Sequence, residues 1–152
     1  MPDFTTAPVT DPTAQELLWE YFHSRELSFV GGEYSISFPA AEQFDPPAGV
    51  FVLVHDGDRA VGCGGIRRLN AERYEVKHLY LRPETRGKGW GRELLADLER
   101  RAIEFGATEV VLDTNATLTA AGGLYQSMGY ASVEPYNDNP NATNWYRKEL
   151  AG

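Results

Sequence analysis

Arg86-Gly87-Lys88-Gly89-Trp90-Gly91-Arg92 lies between a β-favouring run, Tyr74 to Leu81, and an amphipathic segment, Arg92 to Phe105. Three glycines at alternate positions let the backbone turn its N–H groups into a shared concavity, and the helix that follows adds the partial positive charge of its N-terminus. Such a loop binds phosphate. The dinucleotide fingerprint needs a glycine where this chain has Arg92, and the P-loop needs Lys-Ser or Lys-Thr after its last glycine, so neither motif is satisfied. The helix carries Leu94, Leu95, Leu98, Ala102 and Phe105 on one face, with Gly106 placed to cap its C-terminus. It leads into a short apolar strand, Glu109 to Asp113. A strand, a crossover helix and a second strand connect right-handedly, which makes Tyr74 to Leu81 and Glu109 to Asp113 parallel partners in a mixed sheet.

Working outward, Gly49 to His55 is a continuous β-favouring run, and Asp56-Gly57-Asp58 turns the chain back into Ala60 to Leu69, forming a hairpin that Tyr74 to Leu81 extends into a meander. Upstream, Asp11-Pro12 reads as an N-cap and first helical residue, with Leu17, Leu18, Tyr21 and Phe22 at helical spacing as far as Arg25. The segment from Gly31 to Gly49 mixes Gly, Pro, Ser and aromatics, the composition of a loop or short helix over a site. Downstream, a helix spans Thr119 to Met128 with Gly129 as its stop, and strands near Ser132 and from Asn144 to Glu149 close the domain.

At 152 residues the chain makes one α/β domain able to bury a core without metals or disulfides. Fourteen basic residues against twenty-two acidic ones give a net charge of −8, which argues against a nucleic-acid coat or an anionic membrane as partner. Between Arg82 and Arg92 the balance reverses: four basic side chains face one acidic one, Glu84. Cys63 is the single cysteine, and with three scattered histidines it offers no zinc-ligand spacing, so no metal is expected. The N-terminus shows no signal-peptide pattern and no apolar run approaches eighteen residues, which predicts a cytoplasmic protein.

Arg86, Gly89 and Gly91 fit Arg-x-x-Gly-x-Gly, which resembles the pyrophosphate-binding signature of the GNAT acetyltransferase superfamily. The strand Glu75-Val76-Lys77-His78-Leu79-Tyr80-Leu81-Arg82-Pro83 resembles the one that precedes this loop in GNAT enzymes. Ala121-Gly122-Gly123-Leu124-Tyr125-Gln126-Ser127-Met128-Gly129-Tyr130 resembles their later Ala-x-x-Leu-Tyr-x-x-x-Gly-aromatic helix. Pro135-Tyr136-Asn137-Asp138-Asn139-Pro140 is similar to a tail found in a group of small bacterial members. The resemblance implies a single GNAT domain over residues 1–152: a mixed, mostly antiparallel sheet flanked by helices. It also implies acetyl-CoA as acyl donor, a small-molecule amine as acceptor, and direct transfer in a ternary complex. By the same resemblance, Arg86, Gly87, Lys88, Gly89, Trp90, Gly91 and Arg92 hold the pyrophosphate, mostly through backbone amides, and the free edge of Leu79, Tyr80 and Leu81 pairs with the pantetheine arm as an added strand. Homodimers are common among such small enzymes, and nothing in the sequence demonstrates one here.

Acyl transfer from a thioester to an amine needs a neutral amine, a donor for the oxyanion and a proton for the departing thiolate. The resemblance assigns Tyr125 as general acid on the sulfur and Glu75 as general base, with an ion pair to Arg73 or Lys77 as the structural alternative for Glu75. A backbone N–H near Leu81 would bind the oxyanion. On a regular strand His78 points away from Glu75's face, which counts against it as base. His23 and His55 read as surface residues, and Cys63, between Gly62 and Gly64, as a small apolar packing residue. Leu118 stands where many members carry a cofactor-binding asparagine, and Asn115 is the nearby substitute. A non-catalytic acyl-CoA-binding domain would keep the glycine loop and drop the chemistry; a protein acetyltransferase would keep both and change the acceptor groove.

Overall fold

The computed structural model describes residues 2–28, 39–114, 119–140 and 142–150, and only the backbone of 24–28 and 119–122. Seven strands form one sheet: β1 (Asp3–Thr6), β2 (Gly49–Asp56), β3 (Arg59–Arg68), β4 (Arg73–Leu81), β5 (Glu109–Thr114), β6 (Ala131–Val133) and β7 (Asn144–Glu149), in the spatial order β1-β2-β3-β4-β5-β7-β6. Every neighbouring pair is antiparallel except β4 and β5, which are parallel as the crossover requires. The helices are α1 (Pro12–Ser28), α2 (Trp90–Glu104), which makes that crossover, and α3 (Thr119–Ser127).

Local chemistry accounts for the helix starts. Asp11 caps α1: its Oδ2 accepts the backbone N–H of Thr13 at 2.9 Å and of Ala14 at 3.1 Å. α2 begins at Gly89, which is left-handed at φ 76°, so a glycine rather than a polar side chain sets the entry angle.

Two apolar layers cover the sheet. On one face Val76, Val110 and Leu112 pack with Leu94, Leu95 and Leu98 of α2 and Tyr125 of α3. On the other, Phe51, Leu53 and Cys63 pack with Leu17, Leu18 and Phe22 of α1 and with Phe44, held in the 3-10 helix Ala41–Phe44. The three α2 leucines are completely buried, each contributing about 2 kcal/mol of transfer free energy. The sheet is thus closed by helices on both sides, and any passage through it must run between strands.

Two features depart from the sequence reading. β1, which pairs along the outer edge of β2, was not anticipated, and α1 runs three residues past Arg25. Residues 31–38 of the Gly31 to Gly49 segment, with Asn115 and Leu118, lie outside the described residues.

Candidate active site

The β4–β5 ladder is short. It pairs Arg73 with Glu109, Tyr74 with Val110 and Glu75 with Val111, and stops there although β4 continues to Leu81. Beyond the last pair a cleft opens between the two strands, lined by Tyr21, Val76, Lys77, His78, Leu79, Leu112, Asp113 and Tyr125. The lining comes from both layers: Val76, Leu79, Leu112 and Tyr125 belong to the α2 side, whereas Tyr21 lies on the α1 side. The cleft therefore lies between β4 and β5, with residues from both layers on its wall.

A bulge in β4 shapes this passage. Lys77 pairs with Gly65 and Tyr80 with Cys63, so two residues of β4, His78 and Leu79, stand opposite Gly64 alone. His78 takes up the extra residue with φ at 59°, a left-handed conformation that costs a β-carbon-bearing residue about 1–2 kcal/mol. The imidazole packs against Tyr21 and Phe22, both at 5.4 Å between ring centroids, and Phe44 at 5.9 Å, all on the α1 side. The regular alternation expected for His78 is thus broken. Lys77 and His78 both face α1, so the face argument against His78 falls.

Glu75 is completely buried. Its Oε1 accepts Arg67 Nε at 2.8 Å, and its Oε2 accepts the Tyr136 hydroxyl at 2.6 Å and Asn137 Nδ2 at 3.4 Å. Both oxygens are occupied, and the carboxylate does not line the cleft. The ion pair it makes is with Arg67, not with Arg73 or Lys77; Arg73 bonds Glu109 at 2.7 Å, and Lys77 faces Asp113. Burial, followed by the charge of Glu75, pushes the Tyr136 hydroxyl far above the usual phenol range, so Tyr136 serves Glu75 as a donor.

Tyr125 lines the cleft and is 5% exposed, its ring against Tyr146 at 5.6 Å and Tyr130 at 5.9 Å. Tyr130 is anchored in turn: its hydroxyl donates to Glu99 Oε2 at 2.8 Å, and Lys148 Nζ bonds Glu99 Oε1 at 2.9 Å. A fixed aromatic layer thus holds the Tyr125 ring.

The glycine loop fits a pyrophosphate. Gly87 and Gly89 have φ of 81° and 76°, and a β-carbon built on either would meet nothing within 4 Å, so both present bare backbone to open space at the start of α2. Arg86, Lys88 and Arg92 are exposed around it; Lys88 Nζ lies 4.9 Å from the centre of the Trp90 ring, and Arg92 donates to Ser127 Oγ at 2.7 Å. Two of the loop's expected charges are committed elsewhere. Arg82 is held by Glu20, at 2.7 Å, and Glu16, at 3.2 Å, while Glu84 pairs with Arg59 at 2.5 Å. What faces the loop is therefore the charge of Arg86, Lys88 and Arg92. Leu79, Tyr80 and Leu81 use one edge on β3, and past Glu75 their other edge has no ladder to β5.

Cys63 is buried, its thiol pushed up by burial, and it donates to the His78 carbonyl at 3.5 Å, a packing role. His55 is bonded to Thr5 and His23 is stacked on Trp19, both away from the cleft. Among the described residues no cluster of His, Cys, Asp or Glu could hold a metal, and no helix is long and apolar enough to cross a membrane.

Comparison with known proteins identifies the family and the fold. The profile of the acetyltransferase (GNAT) family matches residues 12–130. An uncharacterized N-acetyltransferase of Schizosaccharomyces pombe is 33% identical over 128 residues, covering 83% of this chain and 77% of that protein. An uncharacterized N-acetyltransferase of Bacillus subtilis is 26% identical over 137 residues, covering 87% and 89%. Among solved structures, a Klebsiella pneumoniae chain provisionally named an acyl-CoA N-acyltransferase superposes with a TM-score of 0.82 at 26% identity, covering 99% of both chains. A GNAT acetyltransferase from Elizabethkingia anophelis, crystallised with acetyl-CoA bound, shares the fold at a TM-score of 0.71 and 18% identity, covering 98% of both. The chain belongs to the GNAT family of acetyl-CoA-dependent acyltransferases.

Proposed function

We propose that this protein acetylates a primary amine of a small molecule by direct transfer within a ternary complex. The observation that carries the reading is the cleft between β4 and β5, with the glycine loop and Tyr125 on the α2 side and Lys77, His78 and Asp113 reached from the α1 side. Bound acetyl-CoA supplies the acetyl group as an activated thioester. The backbone amides of Gly87, Gly89 and Gly91 hold its pyrophosphate, Arg86, Lys88 and Arg92 add charge around it, and the open edge of Leu79, Tyr80 and Leu81 pairs with its pantetheine arm. A backbone N–H of β4 between the bulge and Leu81 takes the charge that develops on the carbonyl oxygen. Tyr125 gives its hydroxyl proton to the leaving sulfur, held in place by Tyr130 and Tyr146.

The amine loses its proton on the α1 side, where His78 and Asp113 are the two proton-accepting groups of the described lining; Glu75, with both oxygens engaged, orders Tyr136 and Asn137. The test is thiol release from acetyl-CoA over a panel of amines, with products identified by mass spectrometry. Release coupled stoichiometrically to an N-acetylated amine supports the reading, and tight acetyl-CoA binding with no turnover on any amine would replace it by a binding domain.

A further inference from the structure

The sequence stretch Pro135 to Pro140 is tied to the α1 side of the cleft. The Asn137 amide spends all its capacity there. Nδ2 donates to Asp113 Oδ2 at 2.7 Å and, more weakly, to Glu75 Oε2 at 3.4 Å, while Oδ1 accepts Trp145 Nε1 at 2.9 Å and the Asn139 backbone N–H at 3.2 Å. Asn137 thus joins β4, β5 and β7 where β4 and β5 part, and it fixes one oxygen of Asp113.

The other oxygen is treated differently. Asp113 Oδ1 stands 3.6 Å from Lys77 Nζ, beyond hydrogen-bond distance, although the Asp113 side chain is only 6% exposed and that of Lys77 19%. Neighbouring pairs on this face close tightly, Arg67 on Glu75 at 2.8 Å and Arg73 on Glu109 at 2.7 Å. A carboxylate has about four acceptor sites and an ammonium three donors. Among the described residues, then, the cleft displays one negative and one positive group side by side, each with unused hydrogen-bonding capacity.

We propose that the acceptor is an amino-carboxylate, such as an α-amino acid, whose ammonium group docks on Asp113 and whose carboxylate docks on Lys77. The inference rests on the cleft being the site of transfer. A zwitterion completes both groups at once. A diamine would set its second cation against Lys77, a simple monoamine would leave Lys77 unserved, and an anion lacking an amine would face Asp113. Asn137 acts as a positioning residue, holding Oδ2 of Asp113 so that Oδ1 is left toward Lys77.

The experiment compares initial rates of thiol release for matched triplets, each an α-amino acid, its carboxamide and its decarboxylated amine, with wild type, Lys77→Met and Lys77→Arg. In wild type the amino acid is expected to exceed both analogues at least tenfold in kcat/KM in every triplet that is turned over, about the effect of one charged contact. Lys77→Met should bring amino acid and carboxamide within about threefold of each other, and Lys77→Arg should keep the preference. A wild type that favours the carboxamide or the decarboxylated amine, or a Lys77→Met variant with its preference intact, would overturn the inference and leave the proposed function standing. Turnover of no triplet member by wild type, with acetyl-CoA bound, would overturn the inference, and only failure on the whole amine panel as well would overturn the proposed function.

Discussion

Replacing Glu75 by glutamine separates a structural carboxylate from a catalytic one. The variant keeps the shape and one acceptor oxygen, so Arg67 Nε retains a partner at the 2.8 Å position, while the Tyr136 hydroxyl and Asn137 Nδ2 meet an N–H2 group instead of an oxygen. A hydrogen bond to an ionised group contributes about 1.5–3 kcal/mol, so taking the acceptor from Tyr136 while Arg67, itself still charged, keeps a neutral oxygen costs about 2–3 kcal/mol. Breaking a fully buried pair costs about 3–5 kcal/mol; Arg67, at 29% side-chain exposure, recovers part of its hydration, which places this case below that range. For a chain of this size the loss corresponds to a fall in Tm of about 5–10 °C. Thermal unfolding followed by circular dichroism reads the stability, and thiol release at saturating substrates reads kcat, which should stay within about threefold of wild type. A Glu75→Gln protein with unchanged Tm and kcat lowered a hundredfold would refute this reasoning and restore Glu75 as the base.

Tyr125→Phe keeps the ring contacts at 5.6 and 5.9 Å and removes only the hydroxyl, so kcat should fall about 100-fold or more while the Kd for acetyl-CoA, measured by calorimetry, stays within about twofold. Gly89→Ala meets no steric obstacle but forces a β-carbon into φ 76°, a strain of about 1–2 kcal/mol; acetyl-CoA affinity should drop about tenfold, and Gly89→Asn, which tolerates this conformation, should lose less. The hydrogen bond from Arg82, opposed by burial, holds the Glu20 carboxyl below its ordinary value of 4.5, so its stabilising contribution is complete above pH 4.5 and lost as the pH falls through the lower folded value. The Tm advantage of wild type over Glu20→Gln should therefore narrow on acidification below pH 4.5, and an advantage that grows there would contradict the assignment.

Periodicity made β2 to β5 and α2 legible, because long apolar runs and a glycine stop leave little freedom in where an element begins. β1 escaped, since four residues are too few to show alternation and its hydrogen bonds come from the edge of β2. The bulge at His78 was hidden for a deeper reason: its left-handed conformation is held by rings from α1 and the Ala41–Phe44 turn, remote in sequence. The partner of Glu75 was misread because adjacent cations were considered, whereas the β3–β4 register sets Arg67 opposite Glu75. The glycine loop could be read from local backbone demands alone, but Arg82's withdrawal from it depends on Glu16 and Glu20, across the fold on α1. Of the cleft only the free edge of Leu79 to Leu81 was foreseen, by resemblance; its lining was not, for it depends on a parallel ladder that stops after three pairs.

Direct transfer across that cleft is tested most directly by mixing the protein with acetyl-CoA carrying a labelled acetyl group, first alone and then with an accepted amine. Transfer within a ternary complex predicts no label on the protein in the first step and stoichiometric label on the amine in the second. Stable labelling of the protein before any amine is added would contradict it.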